Sequence, residues 1–515
     1  MDLISTKIKR IRFVLVIVIF ASLLLNCSGD DNNGAQTPIT EDFEVGFNID
    51  WISIGAASLD GFVTVSIEQG ETVIVTSGLE YSQNASFENV QSFAVSTSGS
   101  NLDFQFFLHC LQVNSELFVK PYVVSDQGTK KYGPVTSITT IEGRVYEGNL
   151  EITNLTDYIE FAGQNYTKIT GDLTIRDIDD LIYFEGQNYF YSLDELVEIT
   201  GDLKIYSLDN LINFDEFCNL KKVGGSIVIY DLDQCLSISG FNALESVGDF
   251  VNINLPKTNV ANLANTLVSG NFDLIVNCLN RFENSFQSLV TLDGFLRISS
   301  PGLSTIDNSF GALENLGALQ LGDLPQYTDM SEFYDVQING LSLLNTGITE
   351  VTGFNDLSFI ENFSIMNNNN LTHITGFSNV LSVGSEPSNG IKIKGNRDLI
   401  DITGLSNLEA VSGGFLEVSF NVNLDVTAFQ NLVSINGFLN ISSNNTMTTL
   451  NGLNNLNLVQ DYIVIQGNDV LTDFCALVPL LTTGTWNGAS STSNDISFNE
   501  FNPTFGQIAA GDCSE

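Results

Sequence analysis

The chain has 515 residues, 43% of them hydrophobic, which is room for two or three domains or for one long array plus something smaller. With 61 acids against 19 bases its formal charge is −42, a surface that repels phosphate backbones and anionic membranes and so argues against nucleic-acid binding. Divalent cations, basic partners or neutral glycans suit it better.

Residues 1–26 read as an export signal. Lys7, Lys9, Arg10 and Arg12 precede an apolar run from Phe13 to Leu25, short of the roughly 20 residues a bilayer-spanning helix needs. Leu24-Leu25-Asn26-Cys27 resembles a lipoprotein signal, which implies acylation of Cys27, although Asn26 stands where that motif prefers a small residue. Ser28-Gly29-Asp30-Asp31-Asn32-Asn33 resembles the acidic tag of Bacteroidetes-type surface lipoproteins. The resemblance implies a protein lipid-anchored in the outer membrane and facing the cell exterior. Residues 27–42 lack apolar periodicity and are expected to be a flexible tether.

Residues 43–143 show seven short alternating runs, among them 62–67, 72–75 and 104–108. Such runs parted by turn residues predict an antiparallel β-sandwich. Its end, Glu116 to Val124 followed by Gly128-Thr129-Lys130-Lys131-Tyr132-Gly133, resembles the last two strands of a fibronectin type III domain. That resemblance implies a spacer or adhesive unit.

From 144 to 515 the chain repeats. Ile-Thr-Gly-Asp-Leu-Thr-Ile (169–175), Ile-Thr-Gly-Asp-Leu-Lys-Ile (199–205) and Ile-Asn-Gly-Phe-Leu-Asn-Ile (435–441) are clear copies. Anchored on their last apolar residue, the copies fall at Ile152, Ile175, Ile205, Ile229, Ile253, Leu274, Ile298, Leu321, Leu343, Ile365, Ile393, Val418, Ile441 and Ile465. A rhythm of about 23 residues is that of a solenoid, in which each coil buries its apolar side only against its neighbours. The Leu-x-Ile element alternates as a half-buried strand does. The Phe-x-x-Leu element predicts a helical or 3₁₀ turn on the opposite wall. Gly240, Gly376, Gly404 and Gly452 fall at bends that require positive φ or close backbone approach.

Three residues beyond the anchor stand Asn368, Asn396, Asn421, Asn444 and Asn468. An inward Asn at a corner bonds the backbone of its own and adjacent coils, so these read as a structural ladder. Ile178, Leu208, Leu232 and Leu324 fill the same corner in earlier coils. The pattern, with Leu208, Leu211, Phe214 and Phe217 after the 199–205 copy, resembles the receptor L-domain family. The resemblance implies a mainly β fold, a right-handed parallel β-solenoid of leucine-rich-repeat-like type with ~14 coils. It also implies ligand binding or adhesion without catalysis. Six cysteines remain beyond Cys27, an even count that in an exported protein points to disulfides. Cys475–Cys513 would close a C-terminal cap, and Cys218–Cys235 would join neighbouring coils; Cys110 and Cys278 read as buried thiols.

Parallel β-helices also host polysaccharide-degrading enzymes, but only His109 and His373 are present, and no zinc spacing or nucleophile elbow occurs. No catalytic or metal residue is assigned; Asp177, Asp179 and Asp180 form one acid cluster that would suit Ca²⁺. Binding candidates come from outward strand positions: Phe415, Phe438 and Tyr462 three before the anchor, and Lys392, Glu417 and Asn440 between the inward pair. Aromatics at the same place in successive coils would line up as an exposed stripe for a protein or glycan. The expected function is a non-catalytic binding or adhesion protein, with a polysaccharide-degrading enzyme or an architectural spacer as alternatives.

Overall fold

The computed structural model describes residues 43–70, 72–96, 102–178, 183–184, 187–188, 191–267, 269–271, 273–278 and 280–515. The export signal 1–26, Cys27, the tether 27–42 and two members of the acid cluster, Asp179 and Asp180, lie outside them. The chain divides into two units, one comprising residues up to 147 with 155–168 and 181–197, the other 148–154, 169–180 and 198–515.

In the first unit, strands Glu44–Ile54, Leu59–Gln69 and Phe104–Leu108 form one antiparallel sheet. Strands Gln91–Ser96, Ile74–Ser82, Glu116–Ser125 and Lys130–Tyr132 form a second, with Thr136–Thr139 also paired to Glu116–Ser125. Strand Leu59–Gln69 begins with strict alternation of buried and part-exposed residues, the signature of a strand with one face in a core. Phe43, Leu59, Val63, Phe104, Phe106, Leu117, Val119 and Val123 form that core. Residues 155–162 make a short α-helix that keeps Tyr158 and Phe161 buried.

The second unit is a parallel β-solenoid of about 14 turns, and its main wall is a 17-stranded sheet. In that wall Ile152 pairs with Ile175, Ile175 with Ile205, Ile205 with Ile229 and Ile229 with Ile253. The same register continues to Ile465 in the last repeats. One anchor is corrected. Ile253 pairs with Val276, while Leu274 pairs with Val251 and Leu296. Leu274 and Val276 are both fully buried, and residues two apart share a face, so the apolar pattern alone cannot tell them apart. A further rung was hidden by a long excursion: Ile465 pairs with Ile496 in strand Asp495–Ser497.

The other walls are built from strands too short to show a period. Strands at 198–199, 222–223 and 246–247 pair in parallel. Another set runs from Phe359–Ile360 to Thr485–Trp486 in a six-stranded sheet, and five short strands from Asn213–Phe214 to Ile306–Asp307 form a third. 3₁₀ turns occur at 331–333, 403–405, 427–429 and 475–477, but many coils turn instead on a phenylalanine. Phe217, Phe241, Phe286, Phe310, Phe354 and Phe377 all have φ between 53° and 65°, a left-handed conformation that costs a residue with a side chain roughly 1–2 kcal/mol. Each is at least 97% buried, and burying such a ring contributes about 1.5–3 kcal/mol. Phe217 stacks on Phe241 at 5.2 Å, Phe286 on Phe310 at 5.6 Å and Phe354 on Phe377 at 5.0 Å. Burial offsets the strain.

Gly240 and Gly452 take φ of 106° and 114°. Gly404 is needed for a different reason, because a Cβ there would sit 1.8 Å from the Gly376 carbonyl oxygen.

The cysteines differ from expectation at Cys218–Cys235 and at Cys110. Cys475 and Cys513 are joined, with Cα atoms 4.9 Å apart. Cys218 is disulfide-bonded, but not to Cys235, whose thiol is free and buried. The Cys235 sulfur instead donates to the Ser237 carbonyl at 3.1 Å, and burial pushes its thiol up to about 12. Cys110, read as a buried thiol, is exposed and disulfide-bonded, whereas Cys278 is free and buried. Replacing both Cys475 and Cys513 by serine is expected to destabilise the last coil by roughly 2–4 kcal/mol. Limited proteolysis checks this: cuts should appear within 471–515 while 360–440 stays protected.

Candidate binding face

The outward face of the main sheet is organised in rows, because in-register parallel strands place equivalent side chains one above another. Strands Gly390–Lys394, Phe415–Ser419 and Phe438–Ser442 carry the candidate residues, and Tyr462 directly precedes strand Ile463–Gln466. Phe415 pairs with Phe438, and their rings stack at 5.4 Å and 16°. Phe438 and Tyr462 stack at 4.9 Å and 5°. All three are part-exposed, so a three-ring ladder shows its edges along this margin. In the preceding coil the row holds Gly390, paired with Phe415; a Cβ there would meet the Phe415 carbonyl oxygen at 2.3 Å and its Cγ at 3.1 Å. Phe250 and Phe295, at the same place in earlier coils, stand apart because Asp273 occupies the coil between them.

The next row holds Lys392, Glu417 and Asn440, paired in that order. Glu417 Oε2 lies 3.5 Å from Lys392 Nζ, and Oε1 lies 3.3 Å from Lys394 Nζ. Ser419 donates to Glu417 at 2.8 Å. Burial works to raise the Glu417 pKa, but the Ser419 hydrogen bond and the two ammonium groups together hold it below the usual carboxylate range. Burial, with the charges of Asp461 and Glu417, pushes the Tyr462 hydroxyl up. Beyond lie Lys394, Ser419, Ser442, Gln466 and Ser497 in register. This row is polar, like the one before it.

The five corner asparagines sit behind this face, each fully buried. The backbone N–H of Asn368 donates to Asn396 Oδ1, that of Asn396 to Asn421, that of Asn421 to Asn444 and that of Asn444 to Asn468, at 2.9–3.1 Å. Each side-chain amide donates to a strand carbonyl, as Asn421 Nδ2 does to Ile393 at 2.8 Å. The ladder starts one coil earlier at Thr346 and gains a rung at Asn499. Asn499 follows its anchor by three residues, but that anchor, Ile496, was not visible as one. In earlier coils the corner holds Ile178, Leu208, Leu232 and Leu324, all buried.

Sequence reasoning missed a second polar ladder at the opposite end of the strands. Asn149 Oδ1 accepts from Asp172 N, Asp172 Oδ1 from Asp202 N and Asp202 Oδ1 from Ser226 N, at 2.8–2.9 Å. The signal was the Asp of the repeated Ile-Thr-Gly-Asp-Leu. The Lys204 ammonium and the Ser226 N–H hold Asp202 low. Tyr206 and Tyr230 also stack, at 4.8 Å and 8°, one residue after successive anchors.

A cleft of about 340 Å³ lies between Tyr230, Asp231, Pro256 and Lys257, with Lys257 bonded to Asp233 at 2.8 Å. In the first unit, donor atoms of His109, Cys110 and Asp194 lie within 4.8 Å of one another. A disulfide sulfur is not a thiolate, so Cys110 does not complete a metal-binding set. Nearby, burial pushes the Asp60 carboxyl up to about 6 against the pull of His109. His373 is part-exposed, with its Nδ1 2.8 Å from Thr372 Oγ1.

A parallel solenoid with ladders at its corners and a patterned outer face defines the structural class. Residues 144–269 match the family model of the receptor L domain. The aromatic and asparagine ladders lie C-terminal to that segment. A search of curated proteins gave no match. Among solved structures, a pectate lyase from Erwinia chrysanthemi in complex with tetragalacturonic acid aligns over 70% of this chain and 84% of its own, at 8% identity and a TM-score of 0.15. A pectate lyase from Pectobacterium carotovorum aligns over 68% and 84%, at 9% identity and a TM-score of 0.14. Scores this low carry no inference about this chain.

Proposed function

We propose that this protein is a non-catalytic binding or adhesion protein of the cell surface, held in the outer membrane through a lipid on Cys27. In this reading the solenoid carries the ligand site and the first unit serves as a fibronectin-like spacer. The observation that supports it most is the Phe415–Phe438–Tyr462 ladder, three rings held part-exposed on a rigid sheet beside a polar row. Apolar edges on a surface, bordered by hydrogen-bonding groups, are what partner surfaces present. The receptor L-domain match over 144–269 favours binding as the role of the fold.

The test is adhesion of cells displaying the full chain, and retention of the purified chain on arrays of glycans and extracellular proteins. Phe438→Ala removes the middle ring and should lower binding about tenfold or more, as loss of a central aromatic anchor does. Equal binding by both proteins would put the ligand away from this ladder, and no binding by either would point to an architectural spacer. Turnover of a glycan on the array would point to an enzyme.

A further inference from the structure

Along the opposite margin of the same strands, the residue two beyond the anchor takes the left-handed conformation in most coils. Asp177, Ser207, Asp231, Asp323, Asn345, Asn367, Gly395, Ser443 and Gly467 all have positive φ there. All but the two small serines are Gly, Asn or Asp, the types that tolerate the conformation. Two positions break the rule: Phe420 and Phe498, both with φ of 58°. The six phenylalanines that turn the coils elsewhere are buried, whereas Phe420 is 55% exposed and Phe498 78%. Neither ring gains the burial that offsets the strain at those six. A left-handed residue also breaks the pleat alternation, which is how a position that should point inward comes to point out. Strain with no structural return is characteristic of functional positions.

The two rings bracket a small-residue gap. Ser419, Ser442, Gln466 and Ser497 are in register, so Phe420, Ser443, Gly467 and Phe498 follow one another along the corner. Three strand spacings put Phe420 and Phe498 about 14 Å apart. Between them lie the Ser443 side chain and Gly467, where an added Cβ would meet Ser443 Oγ at 3.3 Å. Lys394 Nζ sits 5.3 Å from the Phe420 ring centre, on the side of the preceding coil. The opposite face of that ring is therefore the one turned toward the gap. Alongside run Asn440, Gln466, Asp495 and Ser497, all part-exposed.

We propose that this trough holds a neutral glycan, its sugar rings stacked against Phe420 and Phe498 and its hydroxyls bonded to the polar row between them. The proposal rests on the reading of this face as a binding surface and names its ligand class. An apolar peptide would find only Val464, part-exposed between Asn440 and Asp495, as apolar floor beside the two rings. A polyanion would meet a chain of charge −42, with Lys392 and Lys394 already engaged by Glu417. Flat C–H faces against aromatic rings, with hydroxyl and amide partners between, suit uncharged pyranoses.

The experiment is affinity electrophoresis of the full chain through gels containing soluble starch, xylan, mannan or β-glucan, and through gels containing polygalacturonate or alginate. At least one neutral gel should retard the wild type and the anionic gels should not. The variant carrying Phe420→Asn and Phe498→Asn places a residue suited to the left-handed conformation at both sites. It should lose affinity about tenfold or more, while its melting temperature stays level or rises. Unchanged retention of the variant, a fall in its melting temperature, or stronger retardation by the anionic gels overturns the proposal. If no neutral gel retards the chain but Phe438→Ala still abolishes binding to cells or protein, the glycan assignment fails and the binding-face reading stands. If neither is seen, both fail.

Discussion

Replacing Asn421 with leucine is expected to lower the stability of the C-terminal coils by about 4 kcal/mol. The Asn421 side-chain oxygen accepts from the Asn396 N–H at 3.0 Å and from its amide at 3.2 Å. Its own amide donates to the Ile393 and Ser419 carbonyls at 2.8 and 3.0 Å. Leucine fits the volume but strands these partners in a site with no water access, at roughly 1–3 kcal/mol for each buried group left unpaired. Leucine is the native corner residue at 208, 232 and 324, where the neighbouring corners lack asparagine. The penalty therefore belongs to interrupting a continuous ladder. Amide exchange across 393–444 is the measurement: protection there should collapse while that across 203–229 is retained. A change below about 1 kcal/mol would show that the amide chain adds little beyond packing.

Gly404→Ala should be comparably damaging by a steric route. The new methyl would lie 1.8 Å from the Gly376 carbonyl oxygen and 2.9 Å from that of Ile374. Both obstacles are backbone, so no side chain can swing aside. Gly376 in turn would meet the Gly353 carbonyl at 2.1 Å, so three coils come together without side chains here. Forcing them apart is expected to cost about 3 kcal/mol or more. Thermal unfolding followed by circular dichroism should report a lower midpoint and poorer recovery of soluble protein. A midpoint equal to the wild type would mean that the coils can separate without loss.

How much of this was legible before the structure follows from what a repeat exposes. The spacing of Ile205, Ile229 and Ile253 placed the strands because each anchor must reach the same core. The corner asparagines were legible because they recur at one offset. Leu274 was mistaken for an anchor since its neighbour two residues on is equally apolar. The short walls, such as 222–223 and 246–247, leave no period to detect. Left-handed Phe420 and Phe498 were invisible as a pair. Nothing in a phenylalanine announces positive φ, and the second depends on an anchor concealed by the 31-residue interval from Ile465 to Ile496. Cys218 and Cys235 lie close in sequence, yet Cys235 is a free buried thiol: nearness along the chain does not by itself pair two sulfurs. Of the binding face, the Phe415–Phe438–Tyr462 row was readable from its fixed offset. The pairing of one carboxylate with two lysines depended on how the side chains settled across coils.

The pleat separates two jobs residue by residue. Along Phe415–Ser419 the buried Leu416 and Val418 hold the stack, while Phe415 is part-exposed and Glu417 lies covered beneath Lys392 and Lys394. A lineage can therefore rewrite what the rod displays, one rung at a time, without renegotiating what keeps it standing. Such a scaffold is a typesetter's rack: the slots are permanent and the letters interchangeable, so related chains can share this frame while meeting very different surroundings.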